Sequence, residues 1–171
     1  GYGGHRIEGI GDKHVPWIHN IKNTDMIVAV DDEYTIRLLR LFNEEAGRKY
    51  LKEQGVAPEI TENLDLLGIS SIGNMLSAIK FAKYYELTEN DMVLTVFTDS
   101  FELYESRKRE LTEERGQYTE KEAVKDFEML QNTGLDNILE LTYYERKRVH
   151  NLKYYTWIEQ QGKELKELNS Q

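Results

Sequence analysis

The chain has no cysteine and only two prolines among its 171 residues. The absence of cysteine excludes disulfides, thiolate metal sites and cysteine nucleophiles, and it fits a reducing cytoplasm. No apolar run approaches the ~20 residues of a membrane helix, and no secretory signal opens the chain. Basic residues are the minority, since 22 Lys and Arg face 31 Asp and Glu for a formal charge of −9. We therefore expect a cytoplasmic protein that binds neither nucleic acid nor an anionic membrane surface.

The first residues lack an initiator methionine. Gly1-Tyr2-Gly3-Gly4 leads directly into sequence typical of the middle of a protein. We interpret the chain as a C-terminal fragment or as one subunit of a split enzyme. Its length allows either one well-buried core or a small core with an attached helical segment.

The hydrophobic pattern predicts an α/β fold over residues 1–110. Residues 26–30 and 92–97 are short apolar runs rich in β-branched residues, which is typical of strands buried on both faces. Residues 34–46 and 72–82 carry apolar stripes with helical spacing, and the second helix begins near two serines suited to capping it. The order of these elements predicts a parallel sheet covered by helices.

Residues 111–171 are predicted to form a helical C-terminal extension. Thr119 and Glu122 form a capping box that opens one helix. Asp136 is expected to cap another, with its apolar side drawn from residues 138–152. We expect this extension to pack on its own domain or on a partner.

Two hydroxyl-rich turns, Ser70-Ser71 and Thr98-Asp99-Ser100, follow the predicted crossings. Ligands of parallel α/β sheets bind beyond the carboxyl ends of the strands, which is where these turns are expected. The simpler interpretation is that the serines only cap helices. Gly9-Ile10-Gly11 is not a dinucleotide fingerprint, because no third glycine follows at the required spacing. Glycine here indicates either a positive φ or a backbone that approaches a flat ligand.

The histidines predict no metal site. His14 and His19 are five residues apart around Pro16, so they do not share a helical face, and a metal needs three or four convergent ligands. We expect structural or pocket-lining roles for His5, His14 and His19. Asp31 and Asp32 are explained by helix capping.

Three motifs, taken in order, resemble the C-terminal half of the cysteine synthase family, which includes cystathionine β-synthase-like enzymes. These fold-type II enzymes use pyridoxal 5′-phosphate. The motifs are Ile7-Glu8-Gly9-Ile10-Gly11 with Pro16, Gly68-Ile69-Ser70-Ser71, and the segment from Thr98-Asp99-Ser100 to Tyr104. The resemblance covers about residues 4–109, and the order and intervals of the motifs make it specific.

The resemblance implies that the Ser100 hydroxyl meets the pyridine nitrogen of the cofactor. A hydroxyl partner leaves that nitrogen unprotonated, which suits β-elimination and β-replacement. The resemblance also implies that Gly9 lets the backbone approach the cofactor with its bound substrate. Asp99 is the alternative partner of the ring nitrogen, and the electronic argument reverses if Asp99 makes that contact.

The resemblance also implies what this chain lacks. The Schiff-base lysine and the glycine-rich phosphate loop of the family lie in the N-terminal half, and Lys13 and Lys22 have no counterpart as the cofactor lysine. We therefore expect no catalytic residue here, no covalent cofactor binding and no turnover by this chain alone. Asp12, Lys13 and His14 replace the small and aromatic residues usual in the family, which implies an altered substrate pocket.

The expected function is that of the C-terminal part of an enzyme acting on a cysteine- or O-acylserine-like amino acid. The activity is a synthase, a cysteine desulfhydrase or other β-lyase, or a thiolase-type reaction. The expected partners are the N-terminal part of the same enzyme, a small amino-acid substrate and a second copy of the complete enzyme in a homodimer. The contrasting hypothesis is a non-catalytic interaction or regulatory module that kept this fold and lost the cofactor.

Overall fold

The computed structural model describes residues 4–7, 9–12 and 14–171. The chain is mainly helical and carries a small sheet. It divides into two compact units. The central unit comprises His5–Ile10 with Ala29–Asp136, and the terminal unit includes Gly11–Val28 with Asn137–Gln171. The domain boundary expected near residue 110 refers to the fold of the complete enzyme and stays a prediction.

The central unit is built around its first helix. Helix α1 packs against α2, α4 and α6, and Ile36, Leu38 and Leu41 on it are fully buried. The side chain of Asp31 begins α1 by accepting a hydrogen bond from the amide of Glu33 at 2.9 Å, as the sequence predicts. The helices are α1 (Asp32–Asn43), α2 (Glu45–Glu53), α3 (Pro58–Thr61), α4 (Ile69–Tyr84), α5 (Glu105–Arg115) and α6 (Glu120–Gln131), with short 3₁₀ helices at Leu64–Leu66 and Phe101–Tyr104.

A buried carboxylate joins α1 to α6. Asp126 accepts a hydrogen bond from Arg37 Nε at 2.6 Å and another from the Tyr118 hydroxyl at 2.8 Å. Burial, reinforced by the nearby charge of Asp126, raises the pKa of Tyr118 well above its usual range. The capping box predicted at Thr119 and Glu122 is present and begins α6.

Residues 92–97 do not form the buried strand that the sequence predicts. This apolar segment has no regular secondary structure, and its side chains are largely exposed, Met92 at 92% and Leu94 at 91%. Within the described part of the chain, none of its backbone groups pairs with another backbone group. The prediction is wrong because a strand needs a neighbouring strand, and the one hydrogen bond that the described residues make to this segment is from the side chain of Asn74 to the Val96 carbonyl at 2.8 Å.

The terminal unit contains the sheet. Strand β1 (Met26–Val28) pairs antiparallel with β2 (Ile138–Glu140), with Ile27 opposite Leu139. The prediction of a strand after residue 25 is confirmed, but the pairing is not parallel and Ile27 is exposed. Residues 138–140 were expected in a helix capped by Asp136; they form a strand instead. Among the described residues, no parallel pair occurs.

The helices of the terminal unit follow β2. They are α7 (Tyr143–Tyr154), a π-helical segment (Tyr155–Gln160) and α8 (Leu165–Asn169), and a 3₁₀ helix lies at Ile21–Asn23. The side chain of Thr142 caps α7 by accepting from the amide of Glu145. Among the described residues, no helix is both long and apolar enough to cross a membrane.

Three alternate carbonyls tie the early chain to the end of α7 and the π-helical segment. The carbonyl of Val15 accepts a hydrogen bond from Thr156 at 2.8 Å, and that of Trp17 accepts one from Trp157 Nε1 at 2.8 Å. The carbonyl of His19 accepts a third from Lys153 at 2.6 Å. The amide of His19 also donates to the Pro16 carbonyl at 3.0 Å, so a turn at Trp17 and Ile18 lies between these contacts.

Candidate functional site

The structure brings together one residue from each of the three sequence motifs in the central unit. A Cβ added to Gly9 would lie 2.4 Å from Ser70 Oγ, so the backbone at Gly9 lies directly against that serine. The amides of Ser70 and Ser71 in turn donate to the carboxylate of Asp99, at 2.9 and 2.8 Å. We call Gly9, Ser70, Ser71, Asp99 and Ser100 the serine cluster.

Asp99 caps helix α4 from a distant part of the chain. The helix begins after Gly68, which has no side chain with which to cap it. The Asp99 carboxylate takes over that role through the amides of Ser70 and Ser71, and the Ser71 hydroxyl lies 2.5 Å from its Oδ1. The prediction that Ser70 or Ser71 caps this helix is therefore wrong, because both lie inside its first turn as donors.

Gly68 and Tyr104 complete the surroundings of this carboxylate. The Tyr104 hydroxyl donates to Asp99 Oδ2 at 2.7 Å, and the Gly68 amide donates to the Asp99 carbonyl at 3.0 Å. A Cβ on Gly68 would lie 2.5 Å from Asp99 Cγ and 2.8 Å from the Tyr104 ring, so glycine is required there. Tyr104 is the last residue of the third sequence motif, and the sequence alone gives it no role. Its position five residues after Asp99 was the feature from which this contact could have been predicted.

These bonds hold Asp99 ionised. Burial opposes the charge, but the hydrogen bonds from Ser71, from Tyr104 and from the two backbone amides outweigh it and lower the pKa of the carboxyl. The positive end of the α4 dipole acts in the same direction. An ionised Asp99 fully engaged at the helix start has little capacity left for a ligand.

The hydroxyls of Ser70 and Ser100 stand apart from this network. Ser100 is half-buried at the start of the 3₁₀ helix Phe101–Tyr104 and makes no side-chain capping bond to it. Ser100 therefore occupies the N-cap position that the simpler interpretation predicts, but its side chain makes no capping bond. Ser70 is only 1% exposed, and its Oγ has no hydrogen-bond partner among the described residues. A buried hydroxyl without a partner is costly and indicates a place where a polar group belongs.

Several expected residues lie outside the serine cluster. Gly11 belongs to the terminal unit, with a φ of 87° that explains its glycine. His14 stacks on Tyr155 with 4.4 Å between ring centroids, and His19 Nε2 lies 3.1 Å from the Thr24 hydroxyl. Glu8 and Lys13, both named in the sequence motifs, lie outside the described residues. In the ranges that the structure describes, no group of three potential metal ligands converges.

Two hydroxyls of the serine cluster take no part in capping α4. The Ser100 hydroxyl caps no helix, and the Ser70 hydroxyl, beside the backbone of Gly9, has no hydrogen-bond partner in the described part of the chain. The N-terminus of a helix is a common binding site for phosphate. At α4 this position is already occupied by the carboxylate of Asp99. A cofactor phosphate would therefore need another part of the protein.

Comparison of the chain with protein-family models, with curated proteins and with solved structures found no match.

Proposed function

We propose that the chain is the C-terminal part of a pyridoxal-phosphate-dependent enzyme similar to cysteine synthases, with Ser100 as the partner of the pyridine nitrogen. One observation carries the proposal: Asp99 is committed to capping α4, whereas the Ser100 hydroxyl beside it caps nothing. This favours Ser100 over Asp99, which was the choice that the resemblance left open.

The roles of the chain's own residues follow from this assignment. Pyridoxal phosphate supplies an electron sink for negative charge at the substrate Cα. The Ser100 hydroxyl would donate a neutral hydrogen bond to the ring nitrogen of a bound cofactor and would leave it unprotonated, which suits loss or replacement of a group at Cβ. Asp99 acts as a positioning residue, because its bonds to α4 fix the backbone from which Ser100 projects. Gly9 keeps the space beside Ser70 free of a side chain.

The substrate in this proposal is a cysteine- or O-acylserine-like amino acid, and the reaction is β-replacement or β-elimination. The fold-type II sheet, the homodimer and the cytoplasmic location belong to the complete enzyme in the same proposal. The lysine and the phosphate site come from the N-terminal part, which agrees with an α4 start already filled by Asp99.

The exposed segment at residues 92–97 supports the need for an N-terminal part. Its side chains alternate in exposure, with Met92 and Leu94 almost fully exposed and Val93 and Thr95 less so. An apolar segment whose backbone pairs with no other described backbone group is a template for strand addition. We assign its partner as an extended segment of the N-terminal part.

Spectroscopy on the complete enzyme tests the assignment of Ser100. The wild type is expected to show a visible absorption band of lysine-bound cofactor that borohydride removes. Ser100→Ala should weaken cofactor binding and shift that band, while the exposed control Ser106→Ala should leave both unchanged. If Ser100→Ala leaves the band and the activity intact, the assignment is wrong.

The same exposed segment also favours the contrasting function, a non-catalytic module that binds another protein. Absence of the borohydride-sensitive band from the complete protein supplied with pyridoxal phosphate would support this module and refute the enzyme. Leu94→Lys separates docking from chemistry, since it should block assembly with the N-terminal part. The matched control is Leu165→Lys, an exposed leucine of the terminal unit.

A further inference from the structure

The terminal unit contains a cavity of about 470 Å³ whose lining is unusually basic. The lining includes Lys22, Arg146, Lys147, His150 and Lys153, and none of the described side chains that line it is acidic. The whole chain has the opposite balance, with 31 acidic against 22 basic residues. A cavity of this size accommodates a small molecule, and its charge selects an anion.

Lys153 is the most informative residue of this lining. It is 1% exposed, and its Nζ donates to the His19 carbonyl at 2.6 Å and lies 3.4 Å from Gln171 Oε1. In the part of the chain that is described, no carboxylate forms an ion pair with it. Burial lowers the pKa of this ammonium group, since a buried charge without a counter-charge is costly. An anion in the cavity would supply that counter-charge.

Arg146 provides a second, independent observation. Its Nη2 is paired with Asp25, which uses one side of the guanidinium. Its Nε is buried and has no hydrogen-bond partner among the residues described. A buried donor left without an acceptor requires an explanation. Carboxylates and phosphates are the groups that arginine binds best, through two parallel N–H donors.

We propose that this cavity binds a small organic anion carrying two or more phosphate or carboxylate groups. Lys153 and the buried Nε of Arg146 form its inner contacts, and the exposed side chains of Lys22 and Lys147 add positive charge around it. The volume exceeds what one inorganic phosphate fills, which favours a ligand with more than one anionic group. This site lies in the terminal unit and does not rest on the function proposed for the serine cluster.

Titration of the full chain with pyrophosphate and with citrate, at constant ionic strength, tests the proposal. Both tryptophans lie in the terminal unit, and the Lys153 Nζ is 5.1 Å from the Trp157 ring centroid, so tryptophan fluorescence reports on the cavity. Calorimetry gives the affinity. We expect saturable binding of at least one probe, and the stronger probe distinguishes a phosphate from a carboxylate ligand.

Variants locate the binding. Arg146→Gln and Lys147→Gln should each weaken it by about tenfold, the value of one charge-assisted contact. The matched control Lys166→Gln, an exposed lysine of the same unit outside the cavity, should bind as the wild type does. Lys147 is exposed, so its variant remains informative if a Lys153→Met variant fails to fold. Absence of saturable binding by both probes, or equal losses in Lys147→Gln and Lys166→Gln, overturns the proposal.

Discussion

Replacing Asp99 with alanine is expected to destabilise the N-terminus of helix α4. The carboxylate accepts hydrogen bonds from the amides of Ser70 and Ser71 and from the hydroxyl of Tyr104, at 2.7 to 2.9 Å. Loss of a helix cap costs about 1 kcal/mol. The hydrogen bonds of the Tyr104 and Ser71 hydroxyls to the carboxylate are lost as well, at roughly 1 kcal/mol each. We therefore expect the free energy of unfolding to fall by about 3 kcal/mol.

The loss should depend on pH in a defined direction. Because the pKa of Asp99 is lowered in the folded chain, its stabilisation is fully present above the ordinary carboxyl value of 3.8. It disappears as the pH falls through the lowered folded pKa, where both chains carry a neutral group. The difference between wild type and Asp99→Asn should be constant from about pH 5 upward and should shrink in stronger acid.

Urea unfolding followed by far-UV circular dichroism measures the global effect, and amide hydrogen exchange measures the local one. The amides of Ser70 and Ser71 should exchange about 100-fold faster in Asp99→Ala, because they lose their acceptor. Glu102→Gln, an exposed carboxylate three residues along, is the control and should change neither quantity. A loss below about 1 kcal/mol, with unchanged exchange at both serines, would refute the capping role.

Three further outcomes are expected. Gly9→Ala should cost about 1–3 kcal/mol because its Cβ would lie 2.4 Å from Ser70 Oγ, and Ser70→Ala in the same chain should recover part of the loss in a thermal melt. Gly47→Ala should cost at least about 3 kcal/mol and not be rescued by a side-chain change, because its Cβ would lie 2.1 Å from the backbone carbonyl of Leu41. The raised pKa of Tyr118 should keep this phenol un-ionised while the chain is folded, so alkaline absorbance titration of Tyr118→Phe should match the wild type until unfolding begins.

The helices were the more predictable part of the fold. The apolar stripes and the caps at Asp31 and Thr119 are local signals, and α1 and α6 begin where those signals lie. Helix α1 stops at Asn43, three residues before the expected end, because Glu44 adopts an extended backbone. The following helix then brings Gly47 against the α1 backbone.

The strands were less predictable because pairing depends on distant residues. Residues 26–28 and 92–97 carry similar apolar patterns, yet only the first run finds a partner, more than 100 residues away at Ile138–Glu140. Residues 138–140 were assigned to a helix because their apolar residues fit helical spacing as well as strand spacing, a common ambiguity in short runs. Neither the missing strand at residues 92–97 nor the strand at residues 138–140 can be predicted from the local sequence alone.

The members of the serine cluster were predictable, but the hydrogen bonds between them were not. The motif order predicted that Gly9, Ser70 and Asp99 belong together, and they do lie together. Asp99 caps α4 although it lies 28 positions after Ser71. This capping could not be predicted from spacing, because N-cap residues are expected directly before the helix that they begin. Ser100 gained importance only when its neighbour was found to be engaged.

The three carbonyl bonds of Val15, Trp17 and His19 also set an order of events during synthesis. Their partners lie 134 to 141 residues later in the chain, so residues 11–28 cannot dock until the ribosome has released α7 and the π-helical segment. The central unit, whose partners are nearer in sequence, is able to fold while those residues wait. Nascent chains arrested near residue 136 should therefore hold a protected central unit interrupted, at residues 11–28, by an unprotected, protease-sensitive segment.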